Sequence, residues 1–503
     1  MWFIIIALSL LLILLYFTIK SKSSDYWAEQ GVPVASGREW FFGHYKQVFL
    51  AKKHITHLYA ELYNEFPEAP VVGYYQLNYP ALVVRDPELI RTILITDFAN
   101  YASNGYPVDK SYDILAGFNP FFTKGEDWKM SRNHATPALS TAKLKGYLPS
   151  IVKVGDQMVK YLRNNCQKAN IDLKDITTMF TTDVMANAIC GIENNTFEDR
   201  NSFFATITGE ITRQLDITVL DNLIYLAVTI IPGLNKIMPL RFATKKLENL
   251  LVSLTREIIK DRTATGKKRN DVYQVMMAFR DGDDKGVFTD EYITSQVFTI
   301  LLDLFETSSN ALMIVLFTLA WHPEHQHKLR AEILDLKLKT KGEYTLEDVE
   351  KFKYLDMVFN ESLRLYLPIS VLSRESTKNC TLAIPGHNPI RITEGTPVII
   401  PSGCIQVDPK YYPEPSKFDP ERFSEEQIAK RPKFTFMPFG EGPKKCLGMR
   451  IATLQVKVAI MSILEQFILK PSVKTTYPLD IDPRTFLFSR PTRGAWVHFE
   501  EIK

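Results

Sequence analysis

Residues 436–448 read Phe436-Met437-Pro438-Phe439-Gly440-Glu441-Gly442-Pro443-Lys444-Lys445-Cys446-Leu447-Gly448, and this cysteine loop decides the fold. An apolar helical run from Met449 to Phe467 follows it directly. Glycines let backbone N–H groups turn toward sulfur, and the positive end of the next helix favours negative charge there. Cys446 can therefore be a thiolate. A thiolate that faces a flat apolar cavity can be an axial ligand of haem iron, and haem iron with a cysteine ligand favours cleavage of the O–O bond. A buried cysteine before a helix is the alternative, which the loop alone leaves open.

Two segments far from the cysteine loop carry charged residues in fixed patterns. Glu361-Ser362-Leu363-Arg364 places a carboxylate and a guanidinium at i and i+3, where they are neighbours on one helix face. Phe418-Asp419-Pro420-Glu421-Arg422-Phe423 supplies a second arginine in a stretch interrupted by proline. A Glu-x-x-Arg pair alone is usually a solvated salt bridge. The order and spacing of these two segments and the cysteine loop along the chain distinguish a functional pattern from a chance salt bridge.

The three segments together resemble the signatures of cytochrome P450 monooxygenases. From Phe439 to Gly448, the cysteine loop resembles the haem-binding pattern Phe-Gly-x-Gly-x-Arg-x-Cys-x-Gly, with Lys444 where the family usually has Arg or His. The other segments resemble the family's Glu-x-x-Arg helix and Pro-Glu-Arg-Phe segment, in the family's order. The resemblance covers residues 30–500.

This resemblance implies the P450 fold, which is mainly α with small β-sheets (α+β). It places haem b between a long distal helix and the cysteine loop, with the Cys446 thiolate as the iron ligand. The other implied haem contacts of the loop are Phe439, Gly440, Lys444 and Gly448. Glu361, Arg364 and Arg422 would form the buried charge triad that holds the core behind the haem.

Composition and cysteine usage agree with a large intracellular enzyme. The chain has 503 residues, of which 46% are hydrophobic and 12% aromatic, enough to bury a large core and an apolar cofactor. The formal net charge of +3, without an arginine-rich block, indicates no nucleic-acid partner. The five cysteines are widely spaced and form no CxxC pair, which predicts free thiols in a reducing compartment.

The N-terminal segment predicts a membrane anchor. Trp2 to Ile19 carries no charge, and Lys20-Ser21-Lys22 follows; this length spans a hydrocarbon core and the lysines favour a cytoplasmic body. A cleaved signal peptide, the alternative, would need a basic start and a clear cleavage site. We predict an anchor at 1–22, a hinge at 23–40 and a haem-thiolate catalytic domain at 41–503. The resemblance implies a microsomal enzyme in the endoplasmic reticulum membrane, with that domain facing the cytoplasm.

The rest of the chain alternates short β-type runs with long helical ones. Strand-like runs are predicted at Val71 to Leu77 and Ala81 to Val84, and again at Thr381 to Ile384, Pro397 to Pro401 and near 485–499. Residues 150–370 are predicted to be mostly helical, and the last helix is predicted at 448–467. A helical body with small sheets toward both ends agrees with the fold that the resemblance implies.

A long apolar helix is predicted from Thr294 to Ala320, with a polar island at its centre. A polar group inside such a helix costs free energy unless it forms a hydrogen bond, so these residues indicate a structural or functional role. The resemblance makes this the distal helix, on which an acid–Thr pair, here Glu306-Thr307, delivers protons during oxygen activation. The alternative is a kinked helix with a core threonine that is satisfied by its neighbours.

The same island departs from the family pattern, which has Ala-Gly where this chain has Asp303-Leu304. We expect Leu304 to crowd the oxygen groove and Asp303 to place a carboxyl on a normally apolar wall. Either the substrate carries a basic or hydroxylated group, or oxygen activation is tuned differently. The sequence leaves both open, so Asp303 joins Glu306 and Thr307 as a candidate catalytic residue.

The resemblance also implies residues that hold the haem propionates and residues that line a substrate pocket. Trp128, Arg132 and Arg374, together with Lys444, would face the propionates; lysine keeps the charge but loses the planar fork of arginine. The implied pocket residues are Phe118, Phe121, Phe122, Leu304, Ile369, Val371, Leu372 and Phe488. Such a lining binds apolar small molecules, including aromatic ones.

Electrons must come from a partner, because the chain carries no flavin or NADPH signature. Lys444 and Lys445, with Lys129, Lys143 and Lys145, predict a basic patch that would attract an acidic flavoprotein. The resemblance implies NADPH–cytochrome P450 reductase, which uses NADPH and is sometimes helped by cytochrome b5. A solvated charged face is the alternative interpretation of these lysines.

The predicted function is therefore a membrane-anchored haem-thiolate monooxygenase that inserts one oxygen atom into apolar small molecules. Residues 305–309 and 439–443 look most like the insect microsomal detoxification branch, which implies foreign compounds such as plant toxins or insecticides as substrates. A haem-thiolate isomerase or dehydratase is the alternative enzyme, favoured mildly by Asp303-Leu304. A non-catalytic haem or ligand-binding protein is the alternative from another class.

Overall fold

The computed structural model describes residues 26–39, 42–77, 79–106, 108–166, 170–216, 218–230, 241–485 and 487–502. The predicted anchor at 1–22 and the start of the predicted hinge lie outside these residues. The α-helices of the described residues are α1 (Lys46–Phe49), α2 (Ile55–Glu65), α3 (Pro87–Arg91), α4 (Gly125–Ala135), α5 (Thr141–Asn165), α6 (Leu173–Val184), α7 (Phe203–Gln214), α8 (Val219–Ile230), α9 (Lys245–Thr265), α10 (Val272–Asp281), α11 (Asp290–Trp321), α12 (Pro323–Thr340), α13 (Leu346–Glu350), α14 (Lys353–Leu365), α15 (Ser402–Ile405), α16 (Glu425–Lys430) and α17 (Met449–Gln466).

The strands form three small sheets. They are β1 (Val71–Gln76), β2 (Tyr79–Val84), β3 (Ile171–Asp172), β4 (Leu372–Glu375), β5 (Cys380–Leu382), β6 (Ile390–Ile392), β7 (Pro397–Ile400), β8 (Phe467–Pro471) and β9 (Trp496–Glu501). The largest sheet has the order β1-β2-β7-β4, in which only the β2–β7 pair is parallel. The other sheets have the orders β3-β9-β8 and β5-β6.

The long helix α11 runs through the centre of that body. Thr289 caps its N-terminus by accepting the Tyr292 N–H, and Asp290 and Glu291 place negative charge in the first turn. Its sequence is apolar on all sides, which is typical of a buried helix. Within the described part of the chain, α11 alone is long and apolar enough to cross a membrane, but 89% of that span is buried by protein. It is therefore a core helix.

The main core is built around α11, which packs against α6, α9, α14 and α17. A second cluster lies against the four-stranded sheet and includes Val84, Val398 and Ile400. Because α17 begins directly after Gly448, its packing against α11 brings the cysteine loop close to the middle of α11.

The predicted fold class, α+β with small sheets, is confirmed by this architecture. Strands β1, β2 and β7 and helix α17 begin and end within two residues of the predicted limits. The apolar alternation of the strands and the long periodic helices carried these predictions.

Candidate active site

Cys446 lies in a tight loop whose shape depends on glycine. Gly440 and Gly442 adopt left-handed backbone angles, with φ of 67° and 76°. A Cβ on Gly442 would collide with the Leu94 carbonyl oxygen. The Cys446 N–H donates to the Phe439 carbonyl over 2.8 Å and closes the loop. The sulfur of this residue keeps accessible surface although it lies deep in the protein.

The surroundings of the Cys446 sulfur act on its pKa in two directions. Burial, followed by the Asp303 carboxylate, raises the pKa of the thiol to about 11, while the Gly448 N–H and the cations of Arg132 and Lys445 act in the opposite direction. A metal cation at the sulfur removes the proton despite this burial, because coordination favours the thiolate.

The centre of α11 opens toward this sulfur. Every residue from 292 to 320 is buried except Asp303, which is exposed, and Thr307, which is half-exposed. The two are i and i+4 and therefore share one helix face. Asp303 nevertheless lies deep in the protein and acts electrostatically on Cys446. Accessible surface on two residues that lie this deep indicates an internal cavity between Asp303 and Cys446, and Thr307 shares the helix face of Asp303.

One end of the cavity is cationic. Arg374 is 4% exposed, and burial lowers its pKa to about 10. Burial, followed by repulsion from Arg374 and Arg132, lowers the pKa of Lys444 to about 7. The buried Arg374 Nε and Trp128 Nε1 atoms have no hydrogen-bond partner among the described residues. Cations that repel one another beside unused donors are stabilised by an anion between them.

The residues present therefore fit a haem. The cationic end suits two propionates, and the sulfur of Cys446 suits the iron. Gly448 bounds the cavity at another edge, where a Cβ would lie 3.1 Å from the Cδ2 atom of Leu304. Leu372 approaches the loop at Gly440, with its Cδ2 atom 3.7 Å from a Cβ placed there. Leu304 thus lies against the cysteine loop, beside the place that the sequence analysis gives to the oxygen groove.

The two acids of the polar island point to different partners. The Asp303 Oδ1 atom accepts from the Asn119 Nδ2 atom over 3.5 Å, and burial raises the pKa of Asp303 to about 7. Glu306 is fully buried and forms an ion pair with Lys174 of α6 at 3.0 Å. Thr307 donates its hydroxyl to the Asp303 carbonyl over 2.5 Å. Glu306 and Thr307, the predicted acid–Thr pair, are thus adjacent in sequence but contact different groups: Glu306 contacts Lys174, and Thr307 contacts the Asp303 carbonyl.

Glu361, Arg364 and Arg422 are brought together behind the cysteine loop. Arg364 donates to both carboxylate oxygens of Glu361, over 2.6 and 2.8 Å, and both side chains are fully buried. The Arg422 Nε atom lies 3.6 Å from the Glu361 Oε1 atom. Arg364 also donates to the carbonyls of Gln406, Pro415 and Lys417, so the cluster holds the connecting segment that follows Ile405 at two places.

Aromatic rings form a wall next to Asn119. Phe121 contacts Phe122 edge-on at 5.2 Å, and Phe118 contacts Tyr292 of α11 edge-on at 5.1 Å. On another side, Ile369 and Phe488 form a backbone bridge.

Val371 does not belong with the predicted pocket residues. It packs instead with Leu58, Val83 and Ile399 against the four-stranded sheet. It also lines a separate cavity of about 230 Å³ with Tyr59 and Cys404. Leu372, the next residue of this extended segment, points to the opposite side and packs against the second cluster, whereas Val371 packs with Leu58 and Val83.

Comparisons with known proteins agree with this geometry. The family model described as Cytochrome P450 matches residues 33–499. The chain is 34% identical to "Cytochrome P450 6j1" of Blattella germanica, covering 93% of this chain and 91% of that protein. It is 32% identical to "Probable cytochrome P450 6a13" of Drosophila melanogaster, covering 98% and 97%. It is 31% identical to "Cytochrome P450 6B1" of Papilio polyxenes, covering 96% of each chain.

The chain belongs to the cytochrome P450 family. It is a P450 monooxygenase whose relatives are insect proteins, as the sequence predicted. The family implies a haem with a cysteine thiolate ligand, a small-molecule substrate and a redox partner.

The face behind the P450 cysteine loop is less basic than the sequence predicted. Lys444 is turned inward and donates to the carbonyls of Pro120 and Thr123 over 3.2 and 3.1 Å, so its place in an exposed basic patch was wrong. Lys445 pairs with Glu441 at 3.4 Å. Two other lysines of the predicted patch, Lys129 and Lys145, form ion pairs with Glu126 and Glu347. A groove of about 360 Å³ on this face is lined by Glu350, Asp356, Phe439, Lys445 and Arg450, among others.

Two residues of this P450 site were missed by the sequence analysis. Asn119, the partner of Asp303, precedes Pro120 in a stretch typical of turns, which gives no hint of a contact with α11. Lys174, the partner of Glu306, lies at the start of α6 and is 132 positions away. Such pairs are set by helix packing, which local patterns do not specify.

Proposed function

We propose that this P450 oxidises foreign apolar compounds, such as plant toxins or insecticides, and that it is anchored in the endoplasmic reticulum membrane. The observation that carries the proposal is that Cys446 and the Asp303–Thr307 face of α11 keep accessible surface inside the helical body, and that phenylalanines flank Asn119, the partner of Asp303, in the chain. An internal cavity beside such residues suits apolar, aromatic-containing molecules. The similarity to insect P450s supports the detoxification role.

Cys446 would hold the iron of haem b, and the bound haem would supply the activation of dioxygen. Arg132, Arg374 and Lys444 would bind its propionates, since no carboxylate of the described residues forms an ion pair with any of the three. Trp128 would add its unused indole N–H. These residues would hold the cofactor next to α11.

Thr307 would position a water in the cavity. Its hydroxyl bonds to the Asp303 carbonyl, but a hydroxyl hydrogen rotates freely and can turn to a water instead. Glu306 would supply protons from the far side of α11, where Lys174 holds its carboxylate. Asp303 is the other acid at the cavity and offers a second source of protons.

Electrons would come from NADPH through NADPH–cytochrome P450 reductase, with cytochrome b5 as an additional donor. The groove behind the cysteine loop is the docking surface that we propose, because it is close to Cys446 in the chain and carries Lys445 and Arg450. Acidic groups of the partner would compete with Glu441 and Glu350 for these cations.

The test uses the full chain with purified reductase and a panel of apolar aromatic compounds. A monooxygenase consumes NADPH and oxygen as product forms, whereas an isomerase or dehydratase forms product without NADPH and a carrier forms none. Cys446→Ser should abolish both turnover and the red-shifted carbon monoxide band of the reduced enzyme. An unchanged band in this variant would mean that another residue binds the iron.

Removing residues 1–22 tests the location. The truncated enzyme should still bind haem but should leave the membrane pellet in large part, with some attachment left through apolar surface. Recovery of a natural protein that begins near residue 23 outside the cell would refute the anchor.

A further inference from the structure

Asp303 places a carboxyl group on the cavity wall of α11. Both of its neighbours in the chain, Leu302 and Leu304, are buried, and Asp303 alone of the three keeps accessible surface. Its side chain therefore points into the enclosed cavity and not into the packed core. A polar group in such a place costs free energy unless a partner satisfies it.

Asn119 satisfies only part of this carboxyl. The side-chain oxygen of Asn119 accepts the Phe121 N–H over 2.7 Å, which fixes the amide so that its Nδ2 atom faces Asp303. The bond to the Asp303 Oδ1 atom is long, at 3.5 Å. A carboxylate has two oxygens and about four acceptor positions, so most of this capacity remains for a ligand.

No cation forms an ion pair with Asp303 within the described part of the chain. The nearby cations have other partners: Lys174 pairs with Glu306, and Lys444 donates to the carbonyls of residues 120 and 123. When it is ionised, Asp303 is therefore a negatively charged hydrogen-bond acceptor that has no counter-ion among the described residues. A ligand that brought a positive charge would supply it, and charge-assisted hydrogen bonds are the strong ones.

The residues around Asn119 suit such a ligand. Phe118, Phe121 and Phe122 lie on either side of it in the chain, and the turn that ends at Phe118 packs against α11. Aromatic faces attract cations as well as apolar groups. The three phenylalanines thus offer apolar surface, and Asp303 offers one negative charge.

We infer that Asp303 is a specificity-determining residue that binds the cationic nitrogen of an apolar, aromatic-containing amine. The inference deepens the proposed function and rests on it, since it names the class of foreign compound that the enzyme prefers. Asn119 acts as a positioning residue, because it orients the Asp303 carboxyl without needing to touch the ligand.

The experiment measures binding, so it does not depend on turnover. The probes are phenylbutyltrimethylammonium and its neutral isostere, in which carbon replaces nitrogen. The quaternary nitrogen has a fixed charge and no lone pair, so it cannot coordinate iron. Phenylbutanol serves as a third probe for neutral hydrogen-bond donors. Equilibrium dialysis with the full-length, haem-loaded protein is run at about pH 8, above the pKa of about 7 that burial gives Asp303.

We expect the wild type to bind the ammonium probe about tenfold more tightly than the neutral isostere, because its fixed charge attracts the Asp303 carboxylate without a hydrogen bond. Asp303→Asn keeps the shape of the side chain and should remove this preference, while the affinity for the isostere stays within about threefold. Asp335→Asn makes the same change on the exposed face of α12, where Asp335 pairs with Lys339, and should behave as the wild type. Asn119→Ala should weaken the preference in part.

Equal affinity of the wild type for the ammonium probe and the isostere would overturn the inference, as would a preference that survives in Asp303→Asn. Tightest binding of phenylbutanol would assign Asp303 to neutral hydroxyl ligands instead and would also overturn it. The wild-type comparison needs no variant to fold. A protein that fails here but still oxidises apolar compounds with NADPH keeps the proposed function and loses only this inference.

Discussion

Replacing Glu361 by glutamine removes one charge from the buried cluster behind the cysteine loop. The Glu361 carboxylate accepts two bonds from Arg364, over 2.6 and 2.8 Å, and one from the Asp419 N–H over 2.9 Å. Glutamine keeps one oxygen but places an NH₂ group against the guanidinium. Arg364 then stays charged and buried without its counter-ion.

The expected cost follows from that burial. Both side chains of the pair are 0% exposed. Breaking such a pair on one side costs about 3–5 kcal/mol, because the remaining charge is desolvated and unpaired. Native proteins are stable by only about 5–15 kcal/mol, so the variant should lose a large share of its stability.

Glu126→Gln is the matched control. Glu126 and Lys129 are also i and i+3 on a helix, with an N–O distance of 2.7 Å, but their side chains are 86% and 59% exposed. An exposed pair of this kind contributes less than about 1 kcal/mol. The two pairs thus share their i, i+3 spacing and have similar N–O distances, and they differ most in burial.

The assay is urea unfolding of the two variants and the wild type, followed by tryptophan fluorescence and by haem absorbance. The midpoint should fall strongly in Glu361→Gln and barely in Glu126→Gln. Similar midpoints for the two variants would refute the reasoning, because burial would then not determine the contribution of the pair. Arg364→Lys gives a second measure, since it keeps the charge and loses the bidentate contact.

Three other predictions concern the cavity. Asp303→Asn should raise the melting temperature more at about pH 8 than at about pH 5. Burial raises the pKa of Asp303 from 3.8 to about 7, so the folded wild type binds a proton that the unfolded chain has lost, and its stability falls as pH rises through this window. Thr307→Ala should form more peroxide and less product per NADPH at unchanged substrate affinity; full coupling would exclude Thr307 from proton delivery. Lys444→Met should lose haem to apomyoglobin faster than Lys445→Met, because only Lys444 donates to the loop carbonyls.

The sequence predicted most of the fold because its signals are local. Strand alternation, helix periodicity and the glycines of the cysteine loop each act within about ten residues. The pair of Glu361 with Arg364 was also predictable, since both residues lie on one helix face. The meeting of α11 with the cysteine loop came from the family resemblance.

The contacts that the sequence analysis missed or predicted wrongly depend on tertiary packing, because packing decides which element lies next to a residue. A helix pattern shows that Glu306 is buried, but only packing against α6 selects Lys174 as its partner. The sequence predicted Lys444 to be a surface lysine like Lys445, but its side chain points inward and donates to the carbonyls of Pro120 and Thr123. Val371 sits in an extended segment, and its side is decided by the sheet that packs there.

Two of the residues that depart from the family pattern, Lys444 and Asp303, are linked through one loop. Lys444 donates to the carbonyls at both ends of the Pro120–Thr123 turn, and Asn119, the residue before that turn, donates to Asp303. A compact ammonium group with three donors suits two separate carbonyls, whereas the planar fork of arginine suits a single carboxylate. The lysine thus stabilises the loop conformation that aims Asn119 at the cavity. The ligand preference that we assign to Asp303 therefore depends on a residue of the cysteine loop as well as on the wall of α11.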